Sequence, residues 1–489
     1  MNTPRLNNAL ANLVRMTGEL SACHPFRHLK DRFLSRRDLR LDWPALHIGN
    51  KTAPVPVIQG GMGLGISLSG LASAVANAGG IGIIAANCIG LIEPDYFKDG
   101  RAANLRAFRR EIRTARSLTG GLIGANIMVA MNDFYQLLDV AVDEKVDLVI
   151  MGAGLPVKHM PVERIREAGV AVAPIVSSAR AASLIFRAWW KSYRDFPDAV
   201  VFEGPEAGGH LGFSVDQLND PSCQLEIVVP QIVEALIPFE ETLGRKIPVI
   251  AAGGIYTGAD IHAALKLGAA GVQMGTRFVA TDECDADLRF KEAYVRCTAD
   301  DIGIINSPVG MPGRAIRNQF ISDAEAGRRP AFQCAWRCLS SCRAENANYC
   351  ISIALNNARK GNLNQGFAFC GTNAHRVTAI VPVRSLIRDL AAGFRGSVRD
   401  TMTRRLEPLL DRLQELRSQY DRLRVQVHEA GMAYEAAVSD RFRNVRDAGF
   451  ERLREEYGIR RAQLRDLQAV LLDSLTESWA VLSVESPIL

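Results

Sequence analysis

Eight short apolar runs, each closing on glycine or a small polar residue, constrain this 489-residue chain more than any other feature in it. They are PVPVIQGG from Pro54, GIGIIAAN from Gly80, LIGANIMV from Leu122, DLVIMGAG from Asp147, VAVAPIVSS from Val170, AVVFEG from Ala199, IPVIAAGG from Ile247 and AGVQMGTRF from Ala270. None alternates apolar with polar residues, so each reads as a parallel strand buried on both faces. The segments between them, such as LSGLASAVANAG and TGADIHAALKLGA, carry apolar residues at helical spacing. Eight βα units in succession predict an α/β fold of the (β/α)8, or TIM-barrel, type, with an open doubly wound sheet as the alternative. In such a barrel the chemistry belongs at the C-terminal ends of the strands.

The remainder divides by composition. Residues 1–50 form a polar, arginine-rich prelude, 51–281 hold the barrel, and 282–383 mix loop signals (NSPVGMPGR, RKGNLNQG) with clustered cysteines, which reads as a lid or cap. From 384 to 489 glycine and proline nearly vanish and leucine and arginine dominate, predicting a separate helical extension. There Leu406, Leu409, Leu413, Leu416, Tyr420, Leu423 and Val427 alternate spacings of three and four. That is the seam of a coiled coil or an antiparallel hairpin, with Leu464, Leu467 and Leu471 on a second helix as its partner. Such a seam either joins subunits, making a homo-oligomer or a docking surface for another protein, or closes within one chain.

Charge and hydropathy exclude several classes. A net charge of +5, with arginines scattered among nearly as many acids, offers no concentrated basic face for nucleic acid. No run of some 18 apolar residues is free of charge, so no membrane span is expected. The first residues lack the apolar core and cleavage site of an export signal, which points to the cytoplasm. Ten cysteines in that setting suggest thiols, metal ligands or small buried residues before disulfides.

The strand ends share a chemistry. Gly60-Gly61-Met62-Gly63 follows the first strand, Asn126 lies in the third, Gly253-Gly254 closes the seventh and Gly275-Thr276 the eighth. Glycine admits positive φ and lets a flat or anionic ligand approach backbone. Barrel loops after strands seven and eight commonly grip a phosphate, so these two places predict a phosphate-bearing ligand. After the sixth strand, PEAGGH makes a tight turn in which Gly208 and Gly209 bring backbone close to a neighbour and present His210. With an ordinary pKa near 6.5, that imidazole suits acid or base work at neutral pH.

Taken in order, QGGMG, GAN, EAGGH, AAGGI and MGTRF resemble the nitronate monooxygenase family, formerly the 2-nitropropane dioxygenases, which includes FMN-dependent type II enoyl-acyl-carrier-protein reductases. The resemblance covers roughly residues 50–320. It implies FMN across the barrel mouth, with Gly61, Met62 and Gly63 lining the isoalloxazine, Asn126 hydrogen-bonding it, Gly209 beside it, and Gly253, Gly254, Gly275 and Thr276 holding its phosphate. His210 matches the family's active-site histidine. The resemblance implies oxidation of alkyl nitronates with oxygen or, alternatively, reduction of enoyl thioesters with NAD(P)H as co-substrate. A third reading, of another class, is an assembly subunit acting through its C-terminal helices. The chain departs from many nitronate-oxidising members in carrying Gly61 where they have proline, and in a long fifth helix, SLIFRAWWKSYRDFPD.

Cys334, Cys338, Cys342 and Cys350 are separated by three, three and seven residues. Such a set can supply a [4Fe-4S] cluster or a zinc site, or can simply be buried thiols. On an unbroken helix Cys334 and Cys342 would stand about 12 Å apart along the axis, so one metal centre requires the helix to break near Cys338.

Overall fold

A computed structural model describes residues 11–16, 42–328, 347–441 and 448–482, together with positions 332, 334, 337–340 and 342. The chain divides into two compact units, Trp43–Phe394 and the described parts of Met1–Asp42 with Arg395–Leu489.

In the first unit, all eight apolar runs become strands of one closed parallel barrel. In chain order these are β1 (Val57–Gln59), β2 (Ile81–Ala85), β3 (Leu122–Met128), β4 (Leu148–Gly152), β5 (Ala171–Val176), β6 (Val200–Glu203), β7 (Val249–Ala252) and β8 (Gly271–Met274). β8 pairs with β1, and β6 pairs with β7 to complete the circle. Side chains alternate along each strand, and the inward set fills the barrel: Ile58, Ile81, Ile83, Leu148, Ile150, Ala171, Ala173, Ala199, Val201, Ile250 and Ala252 form one buried cluster. The next inward position on β6 after Ala199 and Val201 is Glu203, at the strand's C-terminal end.

Helices α1 (Ser69–Asn77), α2 (Gly100–Leu118), α3 (Phe134–Asp143), α4 (Val162–Glu167), α5 (Ala179–Tyr193), α6 (Leu225–Leu243) and α7 (Gly258–Lys266) connect the strands. The long fifth helix ends at Tyr193, short of the segment read from the sequence, because Arg194 takes a left-handed φ of 55°. Its Phe186 and Trp189 are fully buried, Phe186 packing on Phe239 of α6 with centroids 5.3 Å apart.

The lid follows helix α8 (Leu288–Arg296). It contains a small antiparallel sheet of β9 (Ile302–Asn306), β10 (Pro312–Ile316) and β11 (Ala368–Phe369), with helix α9 (Ile351–Arg359) packed against it. A two-residue strand, Gly209–His210, joins this sheet by pairing with Gly313 and Arg314 of β10. The histidine turn is thereby held by the barrel on one side and the lid on the other.

Helix α10 (Val383–Arg441) begins in this unit, where Val383, Leu386, Leu390 and Phe394 are buried. In the second unit, the remainder of α10 and α11 (Ala448–Leu482) form an antiparallel hairpin. Leu406, Leu413 and Tyr420 are buried against Leu471 and Leu475, and Leu13 and Met16 complete the cluster. Leu410, rather than Leu409, carries the seam at its step. None of the described helices is long and apolar enough to cross a membrane.

Candidate functional site

One cavity of about 340 Å³ opens at the C-terminal ends of the barrel strands. Gly61, Met62, Gly63, Asn126, Gly209, His210, Gly253, Gly254, Gly275 and Thr276 all line it, so residues more than 200 positions apart in sequence meet at one mouth. The four lid cysteines do not. Among the described residues no three His, Cys, Asp or Glu side chains stand close enough to hold a metal ion. Cys334 is exposed while Cys338 is buried, and Cys338 faces Cys88 instead. The physical reason is the route of the chain. Residues 338–340 run as an extended stretch against the loop after β3, Asn132 N–H donating to the Cys338 carbonyl (3.1 Å) and Ser340 N–H to that of Ala130 (2.9 Å).

The glycines serve distinct purposes. A Cβ on Gly61 would stand 2.3 Å from the Cβ of Asn126, so glycine there lets the first loop lie flat beside that amide. Gly253 and Gly254 take φ of +90° and +78°, which turns the chain sharply after β7. A Cβ on Gly209 or Gly275 would meet nothing within 4 Å, so backbone at both places borders open space. This is a cradle that backbone can offer to a flat ring and a phosphate, and it fits FMN. One feature must yield on binding: a Cβ on Gly254 would lie 2.3 Å from a Glu206 carboxylate oxygen, so that exposed side chain has to swing aside for an anion. Gly208 has a different neighbour from the ligand expected. Its Cβ would fall 2.5 Å from the Cys370 carbonyl carbon, so it admits lid backbone.

His210 is fixed from three directions. Its Nε2 lies 2.7 Å from Ser307 Oγ on the loop between β9 and β10. Its ring meets Phe369 edge-on, with centroids 5.0 Å apart. Beneath the turn, the buried Arg314 guanidinium donates to the carbonyls of Pro205 (2.7 Å) and Ala207 (2.6 Å), locking the backbone that leads into it. Burial pushes the imidazole pKa down to about 4, so it is neutral at pH 7. A neutral imidazole can take up a proton on one nitrogen or donate from the other, and Ser307 governs which.

The sequence reading missed Glu203, which lines the same cavity. Desolvation raises its carboxyl to about 7, placing a titrating acid at the cavity floor near neutral pH. Gln273, on β8, also lines the cavity, and its Oε1 is buried without a hydrogen-bond partner. Both were visible as polar residues inside apolar runs, AVVFEG and AGVQMG. Ser307 lay inside the NSPVGMPGR segment, but nothing in that stretch pairs it with a histidine 97 residues earlier.

Against known proteins, the family profile described as nitronate monooxygenase matches residues 47–133 and 111–393. A dehydrogenase of Mycobacterium tuberculosis, named for a 5-hydroxy-7a-methyl-1-oxo-octahydro-1H-indene-4-carboxyl-CoA substrate, is 31% identical over 56% of this chain and 66% of its own length. A probable nitronate monooxygenase of Staphylococcus saprophyticus is 29% identical over 54% of this chain and 76% of its own. The match thus spans just under two thirds of the dehydrogenase. Among solved structures, FabK from Thermotoga maritima aligns with a TM-score of 0.55 at 30% identity, covering 71% of this chain and 95% of that one. Nitroalkane oxidase from Streptomyces ansochromogenes aligns with a TM-score of 0.55 at 25% identity, covering 71% and 97%.

Proposed function

Because this chain belongs to the nitronate monooxygenase family of oxidoreductases, we propose that it is an FMN-dependent enzyme that oxidises alkyl nitronates with oxygen at the barrel mouth. The observation that carries the proposal is the neutral His210, fixed by Ser307 and facing a glycine-lined cavity. FMN bound there would supply two-electron redox chemistry. Gly61, Met62, Gly63 and Asn126 would lie along its ring system and Gly253, Gly254, Gly275 and Thr276 around its phosphate. The protein's part is then proton handling and exclusion of water. His210 takes the α-proton from a neutral nitroalkane; toward a preformed nitronate it donates a hydrogen bond. Phe369, Leu339, Ile351 and Leu355 wall the cavity with apolar surface, which keeps water from the charged group and strengthens that hydrogen bond.

A second reading is an oxidoreductase acting on CoA or acyl-carrier thioesters with NAD(P)H. Two observations favour it: the 31%-identical relative is named for a CoA thioester, and the apolar wall, extended by Met128, Met131 and Ile175, exceeds what a small nitronate needs. One anaerobic experiment separates the readings. Bleaching of bound flavin by an alkyl nitronate, with none by NADPH, supports the first. Bleaching by NADPH alone supports the second and refutes the first.

A further inference from the structure

Cys88 and Cys338 are 250 positions apart in sequence, yet both thiols reach one hydroxyl. Ser352 Oγ lies 3.6 Å from Cys88 Sγ and 3.7 Å from Cys338 Sγ. Cys88 lines the cavity, as does Ser352, and Cys338 stands behind them. We propose that Cys88 and Cys338 are a peroxide-reactive dithiol site in the cavity wall, which closes to a disulfide when a small hydroperoxide enters.

Three features suit the pair to that chemistry. Cys88 lies in the loop after β2 at a left-handed φ of 50°, unusual for a residue with a side chain, next to Asn87, whose amide packs against Gly63. The Ser352 hydroxyl is placed to donate to the Cys338 sulfur, and the neighbouring Cys88 thiol acts in the same sense, which favours the thiolate there. Ser352 sits in the first turn of α9, whose N-terminal dipole acts in the same direction. Both sulfurs lie against the same hydroxyl, and oxidation draws them together to a bond of about 2.05 Å.

The step balances. The Cys338 thiolate attacks one peroxide oxygen; the O–O bond breaks and Cys338 becomes a sulfenic acid as the other oxygen leaves, protonated, as water or alcohol. The Cys88 sulfur then attacks the Cys338 sulfur, the S–O bond breaks and the hydroxyl departs as water with the remaining thiol proton. Two electrons pass from the sulfurs to the hydroperoxide. The new bond ties the segment 338–340, already fastened to the loop after β3, to the loop after β2. Leu339 within that segment lines the cavity, so oxidation clamps one wall of it.

The test treats the full-length protein with a few equivalents of hydrogen peroxide, blocks remaining thiols and maps peptides without reductant. The expected result is loss of two of the ten thiols, a peptide joining Cys88 to Cys338, a raised unfolding temperature, and reversal of all three by dithiothreitol. In Cys88→Ser the same treatment should leave Cys338 as a sulfenic acid captured by dimedone, with no cross-link. A disulfide joining Cys338 to Cys334, Cys342 or Cys350 overturns the assignment. So does a Cys88–Cys338 pair that stays reduced under conditions that oxidise the exposed Cys334.

Discussion

Glu203 ends β6 and His210 lies seven residues on, beyond the turn that follows it, and the two shift in opposite senses for one reason, burial. Burial favours the neutral form of each, moving the imidazole down to about 4 and the carboxyl up to about 7. Replacing His210 with Asn should preserve flavin binding while lowering turnover of a neutral nitroalkane on the order of 10²-fold. Loss should be smaller with a preformed nitronate, which has no proton to surrender; equal loss with both would make His210 a positioning residue. For Glu203, the unfolded chain ionises near 4.5 and the fold near 7. The fold's cost for this carboxylate therefore builds as pH rises from about 4.5 to 7 and is fully present above 7. Glu203→Gln should accordingly stabilise the flavin-free protein at pH 8 and leave it little changed at pH 4.5, as read from urea melts. A penalty at pH 8 would mean the carboxylate is satisfied in the fold. Glu203 was legible as an acid ending an apolar run, but its burial was not, because nothing in the sequence says which face of β6 looks inward until the barrel closes.

At the scale of elements, the strands were the easiest part to read. Val, Ile and Ala runs buried on both faces narrow eight repeated units to a closed barrel or an open parallel sheet, of which the chain forms the barrel, and the glycines that end them were legible as loops. The lid was not. β9, β10 and β11 are short, and β10, the central strand, also pairs with Gly209–His210, a contact across about 100 residues that no local pattern encodes. The cysteine spacing could not choose between a metal site and buried thiols for a related reason: Cys338 is drawn to the β3 loop by backbone hydrogen bonds that sequence spacing does not reveal. The first loop offers a test at this scale. Gly61→Ala would drive a methyl into Asn126 and push that amide from its place. FMN affinity should fall at least about tenfold, the cost of roughly 1.4 kcal/mol, while the melting profile of the flavin-free protein changes little. Unchanged FMN affinity would separate Asn126 from the flavin.

For the whole molecule, the compact units redraw the boundary read from composition. The helical tail was expected to start at 384, but Leu386, Leu390 and Phe394 are buried in the barrel unit, and a Cβ on Gly258 would lie 2.0 Å from the Leu390 carbonyl oxygen. Composition could not show this, since α10 runs on without a break. A chain cut after Phe394 and lacking the first 42 residues should therefore unfold cooperatively and still bind FMN, whereas a cut at Arg384 should lose stability by exposing that apolar face; equal melting temperatures for the two would contradict the unit boundary. The leucine seam closes between α10, α11 and residues 11–16 of the same chain, the second of the two arrangements its spacing allows. The proposed activity depends on the glycine cradle holding FMN. The most direct measurement is the flavin released from purified protein on denaturation, identified by chromatography and counted per chain. The proposed function predicts FMN and not FAD, approaching one per chain once free FMN has been supplied; protein that carries no flavin even after FMN is added would contradict it.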